Sequence, residues 1–202
     1  MDDRKRRGPV EVIVGPMFCG KSEELIRRIR RAEIAQQHTQ VFTHTRDNRY
    51  GVGVIASHNG LKRDAVPVKS AEQVLELLDP QAVVIAVDEG QFFNATLKET
   101  AHALSDRGLR VIVAGLDMDF RGEPFGPMGI MMAIATKVDK LTAVCAVCKG
   151  EATMTQRLVN GKPAHYSDDI VLVGATEAYQ ARCPDCHLVL LDSGDLPLFE
   201  GM

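Results

Sequence analysis

Tryptophan is absent from this sequence, and aromatic residues make up only 5% of its 202 residues. Its charge is nearly balanced, with a formal net value of −3. Proteins that hold a nucleic-acid backbone usually carry a basic field, and those that bind single strands add aromatic side chains on which the bases stack. The composition therefore disfavours a nucleic-acid partner and leaves room only for a local basic patch.

Long apolar runs are also missing. No stretch approaches the roughly 20 residues that a membrane-spanning helix needs, and the basic start at residues 4–7 leads into no signal-type apolar core. We therefore expect a cytoplasmic protein with no membrane partner. With 45% apolar and 25% charged residues, the chain has an ordinary globular composition and is long enough for one sizeable core and a small second lobe.

Cysteines are few, but four of the five are grouped. Cys145 and Cys148 form one C-x-x-C pair, Cys183 and Cys186 form another, and Cys19 stands alone. Such pairs supply the four thiolates of a closed, tetrahedral zinc site with a structural role. Disulfides or unrelated thiols are the alternatives. The strand-like runs between the pairs predict a zinc ribbon with a loop inserted in it.

The first chemical motif is a phosphate-binding loop with the spacing G-x-x-x-x-G-K-[ST]. An apolar run precedes it, and an amphipathic helical pattern follows it. Backbone N–H groups of such a loop surround phosphate oxygens, its lysine reaches the outer phosphates, and its serine binds Mg²⁺. The alternative is a glycine-rich turn with no ligand. The eight residues are Gly15, Pro16, Met17, Phe18, Cys19, Gly20, Lys21 and Ser22.

Two acidic residues, Asp88 and Glu89, end a continuous apolar run at residues 82–87. Such a run is typical of a central parallel strand that is buried on both faces. In P-loop proteins the aspartate at this point holds Mg²⁺, and an adjacent glutamate can take a proton from the attacking oxygen. The alternative for Glu89 is a solvated loop carboxylate.

Polar residues also follow the short second strand predicted at residues 41–43. Arg49 is a candidate for neutralising phosphate charge, with Asp47 as its orienting partner, because ligands of open α/β sheets bind at the carboxyl ends of the strands. An ordinary surface ion pair is the alternative.

The order of strands and helices predicts an α/β fold with a doubly wound parallel sheet. Residues 115–126 are too rich in glycine, proline and aromatics for a regular element, and we interpret them as a functional loop at the ligand edge. Phe120 and Phe125 either contact the ligand or pack the loop. The methionines that follow, at residues 128–135, are expected to fill the core.

Taken together, the phosphate loop, residues 88–93, residues 116–126 and the two C-x-x-C pairs resemble the cytosolic, zinc-containing thymidine kinases, from about residue 10 to 187. The resemblance implies a RecA-like P-loop domain at 1–140 and a zinc-ribbon domain at 141–202 that carries a lasso loop. It also implies ATP, Mg²⁺ and structural Zn²⁺, and usually a homotetramer. The implied reaction transfers the γ-phosphate of ATP to the 5′-hydroxyl of thymidine or deoxyuridine, giving dTMP and ADP in nucleotide salvage.

The resemblance also implies a role for each matching residue. Glu89 would be the catalytic base. The nucleotide and its metal would be held by residues 15–22 with Asp47, Arg49, Asp88 and Gln91. The nucleoside would be contacted by Met17, Phe92, Leu116, Phe120, Phe125, Thr155, Ile170, Val171, Leu172, Val173, Gly174 and Tyr179. Many members have serine where this chain has Cys19, which we interpret as a spectator of similar size, with an oxidation-sensitive thiol as the alternative.

Two other functions fit the same motifs without the resemblance. A RecA-class ATPase would use Glu89 to activate water and its zinc ribbon to touch nucleic acid, which the charge balance disfavours. A nucleotide-operated switch would use the zinc lobe to bind another protein.

Overall fold

A six-stranded parallel sheet forms the centre of the protein, in the strand order β5-β2-β6-β7-β1-β8. The computed structural model describes residues 6–46, 53–56, 60–170 and 177–191. The strands are β1 (Val10–Val14), β2 (Thr39–His44), β3 (Val54–Ala56), β4 (Lys62–Asp64), β5 (Val66–Val68), β6 (Val84–Asp88), β7 (Arg110–Gly115), β8 (Lys137–Lys140), β9 (Ala143–Val144), β10 (Glu151–Ala152), β11 (Met154–Val159), β12 (Lys162–Pro163) and β13 (Glu177–Arg182). The helices are α1 (Lys21–Ile34), α2 (Ala71–Glu76), α3 (Leu97–Asp106) and α4 (Met128–Ile134).

Helices cover both faces of this sheet. The apolar side of α1 packs on one face, where Leu25, Ile26 and Ile29 are at most 1% exposed. The other three helices pack on the opposite face. Burying each such side chain contributes about 1.5–3 kcal/mol. The predicted α/β fold is therefore confirmed.

The middle strands are apolar at almost every position because both of their faces are buried. In β1, Val10, Val12 and Val14 point into the core below α2, α3 and α4, whereas Ile13 points into the core below α1. The methionines of α4 also fill the core as predicted, since Met128 and Met131 have no exposed surface.

Three features of the sheet were not predicted from the sequence. They are the edge strands β5 and β8 and the separate hairpin of β3 and β4. The strand β8 has the sequence Lys-Val-Asp-Lys and lies at the sheet edge, where most of its side chains face solvent. Because it is mostly polar, β8 contains no apolar run of the kind that predicts a strand.

An ion-pair network fastens β8 to the rest of the domain. Arg28 is only 4% exposed. Its guanidinium lies 2.7 Å from Glu11, 2.8 Å from Glu24 and in contact with Asp139 of β8. Arg110 also pairs with Glu11, at 2.6 Å. The network thus joins β1, β7, β8 and α1.

Beyond β8 the chain forms two small antiparallel sheets, one of β9 and β10 and one in the order β12-β11-β13. Asn160 and Gly161 both have positive φ, 50° and 78°, and form the predicted tight turn between β11 and β12. The predicted strand at 170–173 lies outside the described residues except for Ile170. Among the described helices, none has the length and apolar character that crossing a membrane requires.

Candidate active site

The phosphate loop connects the end of β1 to the start of α1. Gly15 and Gly20 adopt φ values of 143° and 86°, which favour glycine. A Cβ at Gly15 would lie 2.3 Å from the carbonyl oxygen of Leu141, so no other residue fits without movement of the backbone. The strand before the loop and the helix after it give the expected context for phosphate binding.

Lys21 folds back over the loop in this structure. Its Nζ donates to the carbonyl oxygens of Gly15 and Pro16 at 3.1 and 2.6 Å. The sulfur of Cys19 lies 3.7 Å from the same nitrogen. Burial nevertheless raises the pKa of Cys19 above its usual value. Because the thiolate is the reactive form, this supports the spectator interpretation.

The loop meets the end of β6 through Ser22 and Asp88. The Ser22 hydroxyl lies 3.5 Å from Asp88 Oδ2, and Asp88 is 5% exposed. Hydroxyl and carboxylate oxygens are the hard ligands that Mg²⁺ prefers. The donor set therefore fits the predicted magnesium site.

Glu89 follows directly, in a left-handed backbone conformation with φ of 55°. Its own N–H donates to Asp88 Oδ1 at 2.9 Å. One carboxylate oxygen of Glu89 accepts a hydrogen bond of 2.5 Å from the side-chain amide of Gln91. The structure thus brings the predicted base to the strand end that also meets the phosphate loop.

Residues 116–126 form an ordered loop after β7, as expected for a segment that is not a regular element. Asp119 is 3% exposed and organises it. Its carboxylate accepts the N–H groups of Arg121 and Glu123 at 2.8 and 3.2 Å and pairs with the Arg121 guanidinium at 2.7 Å. Leu116 begins this loop and donates its N–H to the Gln91 side chain.

The predicted aromatic contacts fall into two separate groups. The rings of Phe92 and Phe125 meet edge to face, with centroids 5.8 Å apart. Phe120 is 3% exposed, and the guanidinium of Arg157 lies 5.1 Å from its ring centroid. Phe120 is therefore packed within the protein, and a contact with a nucleoside stays a prediction for all three rings.

The small C-terminal sheet touches the phosphate loop through β11. The Met17 N–H donates to Thr155 Oγ1 at 3.0 Å. Tyr179 lies on β13 opposite Arg157, and Ile170 is 37% exposed. The phosphate loop is therefore hydrogen-bonded to the sheet that carries Thr155 and Tyr179, two residues of the predicted nucleoside pocket. Six predicted residues lie outside the described residues: Asp47, Arg49, Val171, Leu172, Val173 and Gly174.

Sequence reasoning missed three residues around these contacts. Arg157 is fully buried in β11, and it donates to the carbonyl oxygen of Asp169 just before the predicted lasso. His187 follows the last cysteine and contacts the 116–126 loop. Asp117 is 2% exposed and lies 2.9 Å from Lys140 Nζ. None of the three has a local sequence signal, since even Arg157 lies in a strand of mixed polar and apolar residues, Met154–Val159.

The four paired cysteines come together as predicted. Their sulfur atoms all lie within 4.8 Å of one another, and those of Cys148 and Cys183 are 3.6 Å apart. Zn–S bonds of about 2.3 Å in a tetrahedron place sulfur atoms about 3.8 Å apart. Each pair also sits on a tight turn, since the N–H of Lys149 donates to the carbonyl of Cys145 and that of Cys186 to the carbonyl of Cys183. The cluster fits a closed structural zinc site.

Comparison with known families gives the same result as the motifs. A family model described as thymidine kinase matches residues 8–187. The matched region contains the phosphate loop, the acidic end of β6, the 116–126 loop and all four paired cysteines. The chain therefore belongs to the thymidine kinase family, and its four-cysteine cluster fits the zinc-containing, type II members.

Proposed function

We propose that this protein transfers the γ-phosphate of ATP to the 5′-hydroxyl of thymidine, giving dTMP and ADP. The observation that carries the proposal is the meeting of Ser22, Asp88 and Glu89, since Ser22 lies 3.5 Å from Asp88 and Glu89 follows on the same strand end. The two proposed metal ligands, Ser22 and Asp88, and the proposed base, Glu89, therefore lie together beside the phosphate loop.

Phosphoryl transfer depends mainly on positioning and on offsetting charge. Backbone N–H groups of the phosphate loop would bind the phosphates, except at Pro16, which has none, and at Met17, which donates to Thr155. Lys21 would leave the carbonyl oxygens of Gly15 and Pro16, which it contacts here, and bind phosphate oxygens. Ser22 and Asp88 would hold Mg²⁺, which supplies charge neutralisation when bound. Arg49 and Asp47 are proposed to complete the nucleotide site. Gln91, whose side-chain amide contacts Leu116 and Glu89, would act there through Glu89 and not on the nucleotide itself.

Glu89 would accept the only proton that the reaction releases. The nucleoside 5′-oxygen attacks phosphorus, the bond to the ADP oxygen breaks, and the proton of the hydroxyl passes to the Glu89 carboxylate. A general base of this kind contributes about 10²- to 10⁴-fold to the rate.

The nucleoside would lie between the loop at 116–126 and the small C-terminal sheet. Met17 and Thr155 are already hydrogen-bonded to each other and connect this region to the phosphates. An apolar slot for one methyl group provides only about 1–3 kcal/mol of discrimination. Deoxyuridine should therefore be a usable substrate. The remaining contacts are proposed for Phe92, Leu116, Phe120, Phe125, Tyr179 and residues 170–174.

Family membership also supports several wider proposals. We propose a nucleotide-binding domain at 1–140 and a zinc-ribbon domain at 141–202 whose lasso closes over the nucleoside. We also propose a homotetramer that works in cytoplasmic nucleotide salvage.

The fate of the γ-phosphate tests the proposal. The purified protein is incubated with γ-labelled ATP, Mg²⁺ and thymidine, with and without DNA, and the products are separated. We expect label in dTMP that does not depend on DNA. Label in free phosphate alone, increased by DNA, would instead establish a RecA-class ATPase. Free phosphate that is unaffected by DNA and by thymidine would indicate a nucleotide switch.

A further inference from the structure

Gln91 uses both polar atoms of its side chain where the ends of β6 and β7 lie side by side. Gln91 is 2% exposed and lies in the helical turn Gly90–Phe92 that follows Glu89. Its Oε1 accepts the N–H of Leu116 at 2.9 Å, and its Nε2 donates to Glu89 Oε2 at 2.5 Å. We propose that Gln91 is a positioning residue that holds the Glu89 carboxylate in its reactive orientation. The proposal rests on Glu89 being the base, as set out above.

The orientation of the Gln91 amide follows from its partners. A backbone N–H only donates, so the group that faces Leu116 must be the amide oxygen. The amide nitrogen is then turned towards Glu89, whose ionised carboxylate only accepts. A hydrogen bond from a neutral donor to a charged acceptor is stronger than one between neutral groups. The Gln91 amide therefore holds the carboxylate in place and does not compete with it for the proton of the nucleoside hydroxyl.

Two glycines, Gly115 and Gly126, pack closely against Gln91. A Cβ at Gly115 would lie 2.7 Å from Gln91 Oε1. A Cβ at Gly126 would lie 2.2 Å from the Gln91 carbonyl oxygen, and Gly126 has a positive φ of 53°. Both glycines belong to the end of β7 and the loop that follows it. The glutamine is thus enclosed by backbone that approaches as closely as only glycine permits.

This arrangement gives the base a fixed direction before substrate arrives. The left-handed backbone of Glu89 is uncommon for a residue other than glycine and sets where its side chain starts. The Gln91 amide fixes where the side chain ends. Fixing the side chain costs conformational entropy. Because the Glu89 carboxylate is already ordered before substrate binds, this cost does not add to the barrier of the reaction. Leu116 begins the loop proposed to contact the nucleoside, so one amide sets both the base and that loop.

Two substitutions at this position separate hydrogen bonding from shape. Gln91→Met keeps the length of the side chain and removes both hydrogen bonds. Gln91→Glu keeps an acceptor for Leu116 but turns a second carboxylate towards Glu89. We expect each to lower kcat for thymidine phosphorylation by about 10- to 100-fold, since a displacement of about 1 Å at a reacting group costs up to about 100-fold. KM for ATP should stay near the wild-type value.

Thr100→Val is the matched control for the loss of a buried hydrogen bond. Thr100 is 4% exposed and donates to the Ala71 carbonyl at 3.2 Å, between α2 and α3. It lies on neither strand end of the site. We expect this variant to lose stability and to keep its kcat. Thermal unfolding of each variant shows whether the assay contains folded protein.

A double-mutant cycle with Glu89→Gln gives the decisive result. If Gln91 acts through Glu89, Gln91→Met combined with Glu89→Gln is no slower than Glu89→Gln alone. If the double variant instead loses kcat by the product of the two single losses, the role of Gln91 is overturned and that of Glu89 is not. A Gln91→Met variant with wild-type kcat beside an impaired Glu89→Gln would lead to the same conclusion. A fully active Glu89→Gln would overturn the proposed base as well. If Gln91→Met does not fold, the same cycle with Gln91→Glu decides.

Discussion

The ring of His187 lies 2.9 Å, through Nε2, from the carbonyl oxygen of Phe120. His187 follows Cys186 directly and donates its own N–H to the Cys183 carbonyl at 3.0 Å. Burial lowers the pKa of His187, which keeps the imidazole neutral near pH 7 and able to donate one ring N–H. The His187 side chain thereby connects the cysteine cluster to the 116–126 loop.

Replacing His187 by phenylalanine should weaken nucleoside binding. The substitution keeps an aromatic ring and removes the hydrogen bond to Phe120, which contributes about 1 kcal/mol. We expect KM for thymidine to rise about fivefold and KM for ATP to stay constant. His38→Phe is the matched control, because His38 is a half-exposed histidine that pairs with Asp79 at 2.8 Å. An equal rise in both KM values would contradict this connection.

Loss of one cysteine from the four-cysteine cluster should affect the two substrates unequally. We expect Cys183→Ser to abolish stoichiometric zinc and to weaken thymidine binding more than ATP binding, since the cluster joins the nucleoside side through His187. Zinc content by metal analysis and the two dissociation constants by calorimetry are the measurements. Cys19→Ser should keep the full zinc content, because Cys19 lies outside the cluster. Equal weakening of both ligands would reduce the cluster to a general stability element.

The hydrogen bond between Met17 and Thr155 should be detectable in both stability and binding. Thr155→Val keeps the side-chain shape but leaves the Met17 N–H without its acceptor, which costs about 1–3 kcal/mol. We expect a lower Tm and higher KM values for both ATP and thymidine. Thr155→Ser keeps the hydroxyl and should behave like the wild type. A valine variant with unchanged KM values would show that this contact does not couple the two sides.

The Arg28 network should make stability depend on acid pH. Hydrogen bonds from Arg27 and then Arg28 lower the pKa of Glu24 to about 2. A hydrogen bond from Arg28 likewise lowers the pKa of Asp139. Carboxylates with a lowered folded pKa contribute stability above their ordinary pKa near 4, and that contribution is lost as the pH falls towards about 2.

Removing Arg28 should therefore cost more at neutral pH than in acid. We expect Arg28→Met to lower the free energy of unfolding by about 3 kcal/mol at pH 7, the low end for a broken buried pair. The deficit should shrink at pH 3, where the carboxylates begin to protonate. Arg7→Met is the control, because Arg7 lies outside the network and its exposed pair with Asp106 contributes little. Equal deficits at both pH values in chemical denaturation would contradict the network's role.

Local sequence patterns predicted the features that depend on residues close together in the chain. The phosphate loop, the apolar strand before Asp88 and the two C-x-x-C pairs are of this kind. The strand β8 was missed because it is mostly polar: its Asp139 pairs with Arg28 of α1 and with Lys137 of β8 itself. Arg157 and His187 have meaning only through residues that are distant in the chain, such as Phe120. No single-sequence pattern identifies contacts of that type.

The turnover of Glu89→Gln tests the central claim most directly. The substitution keeps the size of the side chain and removes its ability to accept a proton. We predict that kcat for thymidine phosphorylation falls by about 10²- to 10⁴-fold while Tm, zinc content and KM for ATP stay close to the wild-type values. A folded, zinc-loaded Glu89→Gln enzyme with near-wild-type turnover would contradict the account.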